Sequence, residues 1–163
     1  MVMERLRTET TSIYSEGTDL VYVRTFDAPR DLVWKAFTDP EIVPRWWGPH
    51  GTTTRVVQMD VRPGGIWRFV SSAPDRDDVS FHGEYLEIEP PERFTWTFLF
   101  DVEGLGEQGG KETHAFEAVD GQTRVTATSH FGSVEEIDGA IASGMIAGAV
   151  ETWDRLAALL AEG

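Results

Sequence analysis

Apolar positions near the end of the chain recur at helical spacing. Between Ser133 and Glu162, residues Ile137, Ile141, Met145, Ala149, Trp153, Leu156 and Leu160 fall every three or four positions, the repeat of one helical face. Ile146, Val150, Ala157 and Leu159 widen the stripe, and Glu135, Glu136, Asp138, Glu151, Asp154 and Arg155 lie mostly outside it. Such a helix is stable only when its apolar side rests on a larger apolar surface. Gly139, Gly144 and Gly148 interrupt it, each costing about 1 kcal/mol relative to Ala in a helix interior. The pattern therefore predicts a short helix or turn from Val134 to about Ala142 and a main helix from about Met145 to Ala161. Ser133 and Glu136 have the spacing of a capping box. Gly144 and Gly148 share one side, where they let the helix approach a sheet, leave space beside it, or kink it.

Upstream the period changes to two. Asp19 to Phe26 is rich in β-formers and predicts a first strand. Pro29 fits the first turn of a helix continued by Leu32, Val33, Ala36 and Phe37, and Asp39-Pro40 predicts a second short helix ending at Trp46-Trp47-Gly48-Pro49. Strands follow at Arg55 to Arg62, Ile66 to Ser72, Val79 to Glu89, and Arg93 to Phe100, with Pro63-Gly64-Gly65 and Pro90-Pro91 as punctuation. Phe94, Trp96, Phe98 and Phe100 alternate with Thr95, Thr97 and Leu99, a half-buried strand pattern. Ala73 to Asp78 and the glycine-rich Asp101 to Gly110 read as loops. Asp120-Gly121 is a two-residue hairpin turn between Lys111–Val119 and Gln122–Phe131. Met1 to Gly17 is polar and aperiodic, which predicts a flexible tail over 1–17 ahead of a single domain over 18–163. The economical arrangement is α+β: an antiparallel sheet whose concave face receives the terminal helix, with two short helices between strands one and two plugging one end.

Composition narrows the function. The net charge of −14 argues against nucleic acid and anionic membrane surfaces. No apolar run is long enough to span a membrane and no signal-peptide pattern opens the chain. Without any cysteine there is no disulfide or thiolate chemistry, in keeping with a cytoplasmic location. Six tryptophans within 11% aromatics point to a roomy, ring-lined interior. No Gly-x-Ser-x-Gly elbow or phosphate-binding loop is present.

Five stretches carry a resemblance: RTFDAPRDLVWKAFTDP (Arg24 to Pro40), RWWGP (Arg45 to Pro49), DVRPGGIWRF (Asp60 to Phe69), FHGEYLEIEPPERFTWTF (Phe81 to Phe98) and GMIAGAVETWDRLAALL (Gly144 to Leu160). Together they resemble the activator-of-Hsp90-ATPase-like branch of the START-like (SRPBCC, Bet v 1-type) superfamily, in order over roughly residues 20 to 161. The resemblance implies a helix-grip fold, a curved antiparallel sheet wrapped around the long terminal helix with a hydrophobic cavity between them. Superfamily members bind lipids, hormones, polyketides or other apolar molecules, and a few catalyse cyclisation or related steps. One fold hosts many activities, so the residues must carry the function.

Phe94, Trp96 and Phe98 share one face, as do Trp67 and Phe69, and with Trp153 and Met145 of the helix they are candidates to line a ligand cavity; plain core packing is the competing role for each. His82 and Glu84 lie two apart on a strand face shared with Leu86 and Ile88, and His114 alternates with Phe116. If these face inward they anchor a ligand, or supply acid–base chemistry if they hydrogen-bond. The candidate binding set thus joins His82, Glu84, His114 and Phe116 to the aromatic residues. His82, Glu84 and His114 are also metal-ligand types, but nothing fixes their geometry, so no metal, cofactor or catalytic residue is assigned. The tryptophans of RWWGP either lid the cavity mouth or seat the small helices, and the seating role is preferred.

Three functions compete. The first is binding of a small hydrophobic or aromatic molecule for carriage, sequestration or sensing. The second is an enzyme of the polyketide cyclase or hydrolase type using His82, Glu84 or His114. The third is an Hsp90-type chaperone partner, which ranks lowest because no second module bridges to one. Homodimer formation through the sheet surface is compatible with the composition and required by no motif.

Overall fold

Among the described residues, nine strands form a single sheet, and its apolar inner face decides the architecture. The computed structural model describes residues 2–102 and 106–162. In chain order the elements are β1 (Val2–Arg7), β2 (Ser12–Glu16), β3 (Asp19–Phe26), α1 (Arg30–Thr38), a 3₁₀ turn at Val43–Arg45, β4 (Thr53–Met59), β5 (Ile66–Ala73), β6 (Arg76–Glu89), β7 (Arg93–Val102), β8 (Gly106–Val119), β9 (Gln122–His130), α2 (Val134–Ala142) and α3 (Met145–Ala161). The sheet runs β1-β2-β3-β9-β8-β7-β6-β5-β4 and every pairing is antiparallel. This is the helix-grip α+β fold, with α3 laid across the inner face of the sheet. No described helix is long and apolar enough to cross a membrane.

The helical break falls where the glycines place it. Gly144 has φ 86°, a left-handed conformation that ends α2 and starts α3 at little steric cost. The Ser133 hydroxyl accepts the Glu136 N–H at 3.2 Å, and the Glu136 carboxylate accepts the Gly132 N–H at 2.7 Å, so the box closes one residue earlier than the ideal pattern. At the β8–β9 hairpin Asp120 and Gly121 take φ of 51° and 82°, the pair of positive values that suits a two-residue turn.

Several expectations need correction. Residues 2–16 are not a tail: β1 and β2 extend the sheet, with β2 in register on β3 from Ser12↔Val23 to Glu16↔Asp19. Only alternate β2 residues are buried, Ile13 and Ser15, so the segment reads as polar although one face is inward. An ion pair from Arg5 to Asp138 of α2 pins the hairpin to the helix layer. The second short helix is only a 3₁₀ turn, because Pro44 lacks the N–H a helix needs there; Trp46 seats it by donating its indole N–H to Ala36 O at 3.0 Å. The charged loop after β5 is tight, and Arg76 already pairs with Ala73. Much of the glycine-rich stretch is strand, β7 and β8 pairing through Val102↔Gly106; the loop expectation for 103–105, including Gly104, lies outside the described residues.

The interior is packed as two clusters. One joins Phe26, Val33, Phe37, Trp46, Trp67, Phe94 and Leu156 around the C-terminal half of α3. The other joins Ile13, Leu20, Ile137, Ile146 and Val150 around its N-terminal half and α2. Between them the packing opens.

Candidate functional site

A cavity of about 710 Å³ lies between the sheet and α3, within the range of small-molecule pockets. Its lining draws on both clusters, with Trp153 from one and Val150 from the other. The walls are aromatic: Phe69 on β5, Phe81 on β6, Trp96, Phe98 and Phe100 on β7, and Trp47 after the 3₁₀ turn. The rings brace one another, Trp47 lying edge-on to Phe69 at 5.3 Å and to Phe81 at 4.9 Å. Trp46 also reaches the lining, so RWWGP both seats the turn and walls the cavity. Solvent-exposed lining residues, Arg76, Asp101, Ser143 and Met145, mark the rim. On the helix side Gly148 leaves space, since a Cβ there would meet nothing within 4 Å.

One carboxyl sits among these rings. Glu112 lies on the inner face of β8 and lines the cavity. Its direct cross-strand neighbours are Trp96 on β7 and Ser129 on β9, and each donates to one of its oxygens: Trp96 Nε1 to Oε1 at 2.9 Å and Ser129 Oγ to Oε2 at 3.0 Å. Burial raises the Glu112 carboxyl above its ordinary range, against the opposing pull of those two donors and of His130. Beside it, burial and then the Glu112 charge push the Tyr22 phenol upward, while Ser129 partly offsets both.

His114, two residues on and inward, also lines the cavity. It is 8% exposed, its ring stacks on Phe94 at 4.7 Å, and its Nδ1 has no partner among the described residues. Burial pushes its pKa down to about 3, so the imidazole is neutral at physiological pH and a weak base. The cavity thus holds an aromatic box, a carboxyl held by two donors, and a neutral imidazole.

The structure brings six of the ten candidate residues to this cavity: Phe69, Trp96, Phe98, His114, Met145 and Trp153. Trp67 and Phe116 face inward but sit behind the wall. Trp67 is fully buried and stacks on Trp96 at 4.0 Å, and Phe116 packs edge-on against Trp34 and Phe37. His82 and Glu84 lie on the outer face: His82 stands opposite Arg68 and Leu99, with its Nε2 3.5 Å from Glu107, and Glu84 is exposed. A bulge causes the misplacement. The β6–β7 register shifts between Tyr85 and Glu87, so the inward Ile88 is out of phase with the inward Phe81 and Tyr85. The set His82, Glu84 and His114 therefore converges neither as an acid–base group nor as a metal site.

Glu112 escaped the sequence reading. It lies two residues before His114, on the same strand face, so an inward His114 carries Glu112 inward with it.

Residues 27–161 match the family described as Activator of Hsp90 ATPase homolog 1-like protein. Among solved structures, protein Ms6760 from Mycobacterium smegmatis is similar at 26% identity, covering 94% of this chain and 98% of that one with a TM-score of 0.84. A Rhodobacter sphaeroides protein is 27% identical over 95% and 100% of the two chains, TM-score 0.84. A Staphylococcus epidermidis protein is 28% identical over 92% and 93%, TM-score 0.79. No curated protein matches the chain.

Proposed function

Since the chain belongs to the Activator of Hsp90 ATPase homolog 1-like family, we propose that its START-like fold serves to bind one small hydrophobic, ring-bearing molecule between the sheet and α3, for carriage, sequestration or sensing. The observation that supports this reading is the 710 Å³ cavity with its aromatic walls. A wall of this kind with few polar groups is the usual make-up of a small-molecule site. Packing alone does not call for such a space, because an unfilled apolar cavity lowers stability. The chemistry inside favours holding over turnover: the imidazole is too weakly basic to take a proton readily at neutral pH. The same reading assigns no Hsp90-type partner, since its support is an internal space rather than a docking face.

Titration with an environment-sensitive apolar fluorophore, together with a thermal-shift screen of aromatic compounds, tests the proposal. A ligand at a hundred times its Kd stabilises the fold by about 2.7 kcal/mol through mass action. Saturable binding with a matching rise in Tm is expected. A broad panel that neither binds nor shifts Tm overturns the reading.

A further inference from the structure

Resting on that binding role, we propose that the cavity selects lipophilic amines, molecules joining an apolar ring body to one protonated nitrogen, with the nitrogen donating to the Glu112 carboxylate and the body lying among the tryptophan and phenylalanine walls. Glu112 has two neutral donors, Trp96 Nε1 and Ser129 Oγ, one on each oxygen, and each oxygen keeps a further lone pair. Among the described residues, the lining contains one Arg or Lys, Arg76. It stands at the exposed rim with its guanidinium engaged by Ser71 Oγ, Ser71 O and Asp77 O. His114 carries no charge to oppose a cation or attract an anion. His130, which also acts on Glu112, lies on the outer face and is paired to Asp19 at 2.7 Å.

A carboxylate-bearing ligand such as a fatty acid would therefore bring a second negative charge beside Glu112 with no counter-ion. A neutral ring compound would fill the box and leave the carboxyl as it is. An ammonium supplies the missing counter-charge. Asp101 at the rim and the chain's net charge of −14 draw a cation toward the mouth. Pairing with an ammonium offsets the desolvation that burial imposes on the Glu112 carboxylate.

Three naphthalene probes of nearly equal size test this on the full chain by calorimetry: 1-naphthylmethylamine, 1-naphthylmethanol and 1-naphthoate. The amine should bind at least ten-fold tighter than the alcohol, and the naphthoate weakest. Glu112→Gln should reduce amine affinity at least ten-fold and remove the preference for amine over alcohol. The wild-type comparison stands alone if that variant does not fold. Equal affinity for amine and alcohol, or tightest binding of naphthoate, overturns amine selection and leaves the binding role in place. Failure of all three probes overturns both.

Discussion

Trp96 and Glu112 face each other across β7 and β8, and the indole N–H of one is donated to the carboxyl of the other at 2.9 Å inside an aromatic cavity. The bond follows from register, since directly opposed inner-face residues bring a long ring and a long acid within reach. Its neighbours leave the acid poorly solvated, and burial raises its pKa. As pH rises from the unfolded value near 4.5 toward the raised native one, the folded state holds more protons than the unfolded chain, so the contribution of Glu112 to stability falls. Urea unfolding of wild type and Glu112→Gln between pH 4 and 8 should show the wild type losing ground to the variant as pH increases. A difference that stays constant across this range would contradict the burial of the charge.

His114 should act in the opposite direction. Its pKa is lowered from 6.5 to about 3, so between those values the unfolded chain takes up a proton that the native ring refuses. Its contribution is complete above pH 6.5 and is lost as pH falls, at a limiting slope of about 1.4 kcal/mol per pH unit. His114→Phe keeps a ring stacked on Phe94 and removes the titration. Relative to that variant, the wild type should weaken progressively below pH 6.5 and run parallel to it above. Just above pH 4.5 the Glu112 and His114 effects oppose each other, and the single variants separate them.

The terminal helices, the Asp120-Gly121 hairpin and the aromatic β7 face were legible because each rests on local pattern: period 3.6, turn chemistry, period two. What escaped depends on register between strands. One bulge near Leu86 inverts the face of everything before it, so counting back from Ile88 places His82 and Glu84 inward, whereas Phe81 and Tyr85 occupy that face. The N-terminal hairpin has too few apolar residues to stand out and is held by pairing to β3 and by Arg5 on α2. Glu112 looks like an ordinary surface acid until its two cross-strand neighbours are known to be donors.

Gly83 is required by a close approach on β6. A Cβ there would fall 1.8 Å from Thr97 O, and the Trp67 indole N–H donates to that same carbonyl at 3.1 Å. Neither the backbone of β7 nor the tryptophan stacked on Trp96 can yield without disturbing the cavity wall. Gly83→Ala should lose about 2–3 kcal/mol, the scale of overpacking in a tight interior, measured by urea unfolding. It should also weaken the near-ultraviolet circular dichroism of the packed tryptophans. Stability within about 0.5 kcal/mol of wild type would show that this crossing is loose.

Gly148 offers the cleanest separation of binding from folding. It sits inside α3, its N–H donating to Gly144 O at 3.0 Å and its carbonyl accepting from Thr152 Oγ1 at 2.9 Å, so its backbone is ordinary helix. It faces the cavity, and a Cβ would meet nothing within 4 Å. Gly148→Ala should therefore stabilise the protein by up to about 1 kcal/mol, since a flexible residue in a helix interior becomes a good helix former. Gly148→Leu should keep or raise Tm by filling the empty space, yet weaken an apolar probe at least ten-fold by occupying its site. A change that improves the fold while removing the ligand would mean that the gap beside α3 is kept open at the expense of stability. If Gly148→Leu binds the probe as wild type does, the ligand lies elsewhere.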